Sequence, residues 1–231
     1  MQLVGVSDLI IPAITASSWP RINTLCSSHA QLHAAYGLHP IYLAEHQDEH
    51  LKQLESFIRE HREQVIAVGE CGLDFFLPEL PVPQQTDLFI AQLKIAKTFD
   101  LPVIVHARRS VDAVISCIRR LGGLRGVIHS FAGSQQQADQ LIEAGFYLGV
   151  GGTSTYERAQ RLRQVLQTMP AERLLLETDA PDQPDSQWRG QRNTPLRLPI
   201  IASTLAELRG CSVEAIGATT TANAQHLFGM V

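Results

Sequence analysis

Short apolar runs alternate with longer amphipathic stretches along the whole chain. The runs are DLIIPAI at 8–14, LHAAYGL at 32–38, VIAVGE at 65–70, PVIVH at 102–106, GVIHSF at 126–131, FYLGVGG at 146–152 and RLLLET at 173–178. Each is apolar on consecutive positions, as strands covered on both faces are. Between them, Phe89, Leu93 and Ala96 fall at i, i+4 and i+7, and Ala138, Leu141 and Ile142 at i, i+3 and i+4. Each set predicts one buried helical stripe. Ser134 with Gln137 three positions on makes a capping box for the second helix, and Thr194 before Pro195 predicts a cap and a first-turn proline for a later one. Strands joined by helices in this rhythm form a parallel sheet, either open and doubly wound or closed as a (β/α) barrel.

The polar residues favour the barrel. Six of the seven runs end in chemically active positions: Gly37-Leu38-His39-Pro40, Glu70-Cys71-Gly72-Leu73-Asp74, His106-Ala107-Arg108-Arg109, His129-Ser130-Phe131, Gly151-Gly152-Thr153 and Glu177-Thr178-Asp179. An open sheet binds its ligand mainly at one switch point, whereas in a barrel every strand's carboxyl end faces the same mouth. The expectation is an α/β protein with a TIM-type barrel, residues 1–231 forming a single domain.

Composition narrows the class. Hydrophobic residues make up 45% and charged residues 18% of the 231 positions, and no apolar run nears the roughly 18 residues needed to span a bilayer. No secretory signal pattern opens the chain, so the expected compartment is cytoplasmic and no membrane partner is expected. Cys26, Cys71, Cys117 and Cys211 are far apart with no C-x-x-C pair, which fits neither a zinc ribbon nor a disulfide framework. A net charge of −4 argues against holding a polyanion by a broad basic surface, so such a substrate must be gripped locally by metal ions or a few arginines.

Glu70, His106, His129 and Asp179 each stand at the end of a separate run and are expected to converge on one mouth. Imidazole and carboxylate together suit zinc, manganese or a similar divalent ion. Each residue also has a plainer reading. A histidine at a strand end, His39 included, is more often a hydrogen-bonded structural group, Glu70 can cap a helix, and Asp179 can cap the Ala180-Pro181 turn. As a set, four ionisable groups at buried strand ends carry a desolvation cost that a shared ion offsets, and the metal reading prevails.

Arg108 is placed to clamp a phosphate or carboxylate, and Arg109 reads equally as a solvated surface residue. Asn193 reads either as a substrate-orienting residue or as a helix cap. Gly149, Gly151 and Gly152 lack the lysine of a phosphate loop and predict close backbone approach at the rim.

In their order, YGLHP, VGECGLDFF, LPVIVHARR, VIHSFAGS, YLGVGGT, LLETDAPD and RNTP resemble the TatD family of metal-dependent deoxyribonucleases, of the amidohydrolase-like barrel superfamily, over about Ser7 to Phe228. The resemblance implies a (β/α)8 barrel with two divalent ions, zinc, magnesium or manganese: Glu70 bridging, His106 and His129 on one ion and Asp179 on the other, with Asp179 as general base or its orienter. It implies phosphodiester hydrolysis in DNA, with metal-dependent ester or amide hydrolysis, such as D-aminoacyl-tRNA deacylation, as the alternative. Arg108, His39 and Asn193 are the expected substrate-binding residues.

The family's first strand ends in a His-x-His pair that this sequence lacks; His29 and His33 are four apart and belong to another segment. DLIIPAI therefore matches the family's second strand, and the barrel is expected with its first strand missing. A start downstream of the true one, a truncated gene and a degenerate, non-catalytic binding relative all account for this. An opened barrel edge would favour self-association.

Overall fold

The structure is a computed structural model that describes residues 4–230. All seven apolar runs are strands: β1 Leu9–Pro12, β2 Leu32–Tyr36, β3 Val65–Asp74, β4 Val103–Arg108, β5 Gly126–Ile128, β6 Phe146–Val150 and β7 Leu174–Leu176. Among the described residues eight α-helices stand between and after them: α1 Trp19–Ser27, α2 Asp48–Glu60, α3 Val82–Thr98, α4 Val111–Leu121, α5 Gln135–Glu143, α6 Gln160–Thr168, α7 Leu198–Arg209 and α8 Val213–Phe228.

The chain falls into two compact units. In residues 8–126, β1 to β4 pair in sequence order and all in parallel, with Leu9 opposite Leu32, Ala35 opposite Ala67 and Asp74 opposite Arg108. Ala34, Ala35 and Tyr36 of β2 and Ala67 and Val68 of β3 are inaccessible to solvent, as consecutive apolar positions require when both faces are covered. Phe89, Leu93 and Ala96 on α3 are buried, so the predicted stripe is the packed face.

In the other unit, residues 127–230 with 4–7, β6 and β7 pair in parallel, Leu148 opposite Leu174. Ser134 and Gln137 form the expected capping box: the Ser134 hydroxyl accepts the Gln137 N–H at 3.2 Å, and the Gln137 side chain accepts the Ser134 N–H at 2.9 Å. Thr194 holds the cap position of a short 3-10 turn, Pro195–Arg197, rather than of a long helix, and its hydroxyl makes no cap bond. His29 and His33 share no helix face, because α1 ends at Ser27 and His33 lies in β2, 2.9 Å from Asp8. The four cysteines are free thiols. Among the described residues no helix is long and apolar enough to cross a membrane.

Candidate metal centre

In the unit of residues 8–126, the adjacent strands β3 and β4 deliver Glu70, at the register shift between Val68 and Cys71, and His106, opposite Gly72, and the turn after β2 delivers His39. Ligand atoms of these three side chains lie within 4.8 Å of one another. Glycine makes the approach possible: a side chain on Gly37 would run into the backbone of Gly69 at 2.6 Å, and Gly72 lies against the main chain of His106 with φ +145°.

His106 is bracketed by carboxylates. Its Nδ1 is 3.2 Å from Glu70 Oε1 and its Nε2 is 2.9 Å from Asp74 Oδ2. Burial alone would lower the imidazole's pKa, but the two carboxylates outweigh it and raise it. Burial pushes Asp74 the other way, upward, yet the hydrogen bonds from His106 and from the Phe76 N–H hold its carboxyl below the usual range. With Nε2–H donating to Asp74, the Nδ1 lone pair and Glu70 Oε1 face each other as two acceptors, an arrangement that needs a proton or a cation between them. That donor set fits a divalent ion, with Asp74 fixing the ring from behind.

His39 Nδ1 accepts the Ile41 N–H at 3.2 Å, which places its ring proton on Nε2, and Nε2 donates to Glu70 Oε1 at 3.1 Å. In that tautomer His39 steadies Glu70 from a site that is only 5% exposed.

Two buried glutamines on α3, seven residues apart and so on one face, hold these strand ends. The Gln85 side chain accepts the Asp74 N–H at 2.8 Å and donates to the Asp74 carbonyl at 3.0 Å, while Gln92 does the same for Leu38, next to His39, at 2.7 and 3.0 Å. Each amide imitates a strand partner where the sheet ends.

The other unit builds a second bracketed imidazole. His129 Nδ1 is 3.0 Å from Glu177 Oε1 and its Nε2 is 3.3 Å from Asp179 Oδ1. Glu177 Oε1 also accepts the Ser130 N–H at 2.6 Å, and Asp179 Oδ2 accepts from Gln183 Nε2 at 2.5 Å. The Ser130 hydroxyl is buried with no hydrogen-bond partner among the described residues. A side chain on Gly149 would collide with the Glu177 carboxylate, and on Gly152 with the Gln183 carbonyl. Close backbone approach thus describes Gly152, whereas Gly149 makes room for a carboxylate.

Asn193 is buried and turned inward. Its Nδ2 donates to the carbonyls of Thr178 at 2.6 Å, Asp182 at 2.8 Å and Gln183 at 3.3 Å, and its Oδ1 accepts the Thr194 N–H at 2.8 Å. It thereby ties the segment that carries Asp179. Asp185, inaccessible to solvent, holds the same loop through a two-pronged bond to Arg197 at 2.7 and 2.9 Å. Arg108 is exposed and lies over the Phe76 ring, 3.6 Å from Cζ to centroid.

Asp74 and Glu177 belong to the polar strand ends of the sequence, but their place beside His106 and His129 is not among its expectations. The available signal for Asp74 was the strand's period of two, since it stands four positions from Glu70, whereas Glu177 lies just past β7, two positions before Asp179.

The sequence model of one family, TatD related DNase, matches residues 2–229. The chain belongs to this family. Its relatives include a protein of Escherichia coli strain K12 named uncharacterized metal-dependent hydrolase YjjV, 40% identical over 98% of this chain and 88% of that protein. Another is named 3'-5' ssDNA/RNA exonuclease TatD, from Erwinia amylovora, 34% identical over 98% of this chain and 90% of its own length. The crystal structure of the YjjV TatD homologue matches with a TM-score of 0.95, covering 99% of this chain and 88% of that one. A phosphotriesterase homology protein from Escherichia coli, solved with phosphate in its active site, shares the fold at a TM-score of 0.70 and 15% identity, over 98% of this chain and 86% of its own. The TatD-family chain is accordingly a metal-dependent hydrolase with the TIM-type (β/α) barrel fold, seven of whose strands lie among the described residues.

Proposed function

We propose that this TatD-family hydrolase cleaves phosphodiester bonds in single-stranded nucleic acid, DNA first, with Glu70 and His106 holding a divalent ion. The observation that carries this is the His39–Glu70–His106 cluster, one buried carboxylate and two imidazoles with ligand atoms within 4.8 Å. The name of the Erwinia amylovora relative supports the substrate class.

Mixed nitrogen and oxygen donors suit zinc or manganese, with magnesium the harder alternative. A divalent ion supplies Lewis acidity toward a phosphoryl oxygen and makes water a stronger acid. The chain's own residues do the rest. His106 Nδ1 and Glu70 are the ligands in the first unit, Asp74 orients His106, and His39 donates to Glu70. His129 and Asp179 are the metal-site residues of the second unit, with Glu177 orienting His129. Asp179 takes a proton from the attacking water as its oxygen bonds to phosphorus, and the bond from phosphorus to the leaving oxygen breaks, that oxygen taking up a proton. In the first unit Arg108 is the phosphate-binding residue.

The test uses the whole chain, stripped with a chelator and reloaded with zinc, manganese or magnesium. Expected are metal bound per chain by elemental mass spectrometry, ion-dependent shortening of a labelled single strand, and loss of both in His106→Ala. Turnover of an aminoacyl ester with no cutting of the strand would move the substrate to the acyl class. Full metal content and activity in His106→Ala would overturn the site.

A further inference from the structure

Beside the metal centre, two arginines and an aromatic ring form a cluster of which the hydrolytic reading above uses only Arg108. Phe76 is 40% exposed, unusual for a residue that follows a buried strand. Arg108 Cζ lies 3.6 Å and Arg109 Cζ 4.7 Å from its ring centroid. Among the described residues neither guanidinium has an ion pair or a hydrogen bond from its side chain to another residue.

The cluster is anchored rather than loose. The Asp74 carboxylate accepts the Phe76 N–H through Oδ1 at 2.9 Å while its Oδ2 holds His106, so one buried group fixes both the aromatic residue and the metal-site imidazole. The Phe75 N–H donates to the Arg108 carbonyl at 2.9 Å, and Asp74 stands opposite Arg108 in the sheet register. Arg109 has φ +56°, a left-handed backbone that turns the chain just where the second arginine is needed beside Phe76.

We propose that Phe76, Arg108 and Arg109 form a phosphate subsite next to the reaction centre, the ring being a shelf that holds two guanidinium groups ready for the backbone of a single-stranded nucleic acid. This rests on the phosphodiester reading above. A guanidinium carbon 3.6 Å from the centroid packs its face on the ring, so the N–H edge stays free for bidentate contact with a phosphate. Stacking also removes much of the rotamer freedom that an arginine otherwise loses on binding. In a chain of net charge −4, such local positive charge is what a polyanion needs. Phe76 is a positioning residue here, and Arg109 a binding residue for a phosphate that flanks the one Arg108 serves.

The experiment measures binding of a fluorescent single-stranded oligonucleotide to the whole, metal-loaded chain across a salt series, together with KM for its cleavage. Arg109→Gln is expected to raise Kd about tenfold and to flatten the slope of log Kd on log salt by about 0.7, one phosphate contact on a single strand. Phe76→Leu should raise KM several-fold with kcat unchanged, and Phe76→Tyr should restore it. An abasic strand of equal length should lose as much affinity as the base-bearing one; a loss confined to the base-bearing strand would overturn the phosphate assignment in favour of base stacking. Unchanged Kd, KM and slope in both Phe76→Leu and Arg109→Gln would overturn the subsite while leaving the hydrolytic reading standing. A wild-type chain that neither binds nor cuts the strand would overturn both.

Discussion

Asp74 Oδ2 and His106 Nε2 stand 2.9 Å apart at the carboxyl ends of neighbouring strands, and the carboxylate is inaccessible to solvent. The pair decides which nitrogen of His106 keeps its proton and which offers a lone pair toward Glu70. A buried carboxylate behind a ligand histidine raises the ligand's basicity and fixes its ring.

Asp74→Asn keeps the shape of the side chain and loses its charge. Metal affinity is expected to fall about 10- to 100-fold, read by competition with a chelating dye on the whole chain. Affinity within twofold of wild type would show that His106 is oriented by other means.

Gly149→Ala tests the room made for Glu177. The added methyl meets the Glu177 carboxylate, which is held by the Ser130 N–H and by His129 and has little freedom to retreat. Overpacking of this kind costs about 1–3 kcal/mol. Denaturant unfolding measures it, and a loss below about 0.5 kcal/mol would mean the carboxylate can swing aside.

Asn193→Ser separates support from substrate contact. The shorter side chain leaves the carbonyls of Thr178, Asp182 and Gln183 short of a donor, for about 1–3 kcal/mol of stability. With Asp179 in the same tied segment, kcat is expected to fall about tenfold or more while KM holds. A rise in KM at constant kcat would instead make Asn193 a substrate-binding residue.

The Asp185–Arg197 pair predicts a pH dependence. The Arg197 guanidinium holds the Asp185 carboxyl below the usual carboxylate range, against the opposing effect of burial. A depressed folded-state pKa contributes stability that is complete above the unfolded value of about 3.9 and is lost as pH falls through the folded value. The difference in unfolding free energy between wild type and Asp185→Asn should therefore be level from neutral pH down to about 5 and shrink below about 4. A difference that shrinks instead as pH rises from 5 to 8 would contradict the assignment.

Much of this protein could be read from the chain alone, because its strands announce themselves by consecutive apolar positions and its helices by their stripe. Each of the seven runs is a strand, the α3 stripe packs as its spacing requires, and the Ser134–Gln137 box closes. These are local consequences of burial and backbone hydrogen bonding, fixed within a few residues. Glu70, His106, His129 and Asp179 stand out in the sequence for a local reason of the same kind, a polar side chain at the end of a buried run.

What the sequence could not contain was the partner of each group. Asp74 and Glu177 stand in the polar strand ends read from the sequence, but only strand pairing and chain return set them against His106 and His129. Nothing in the local sequence marks Gln85 and Gln92, yet tertiary packing buries both and makes them the last rungs of the sheet. Asn193 reads from the sequence as a substrate-orienting residue or a helix cap, and its amide is spent on three carbonyls of the Asp179 loop. Burial and pattern are properties of one segment and can be read from it, whereas a hydrogen bond across 32 or 47 residues belongs to the fold, where the cost of leaving a buried polar group unpaired selects its partner.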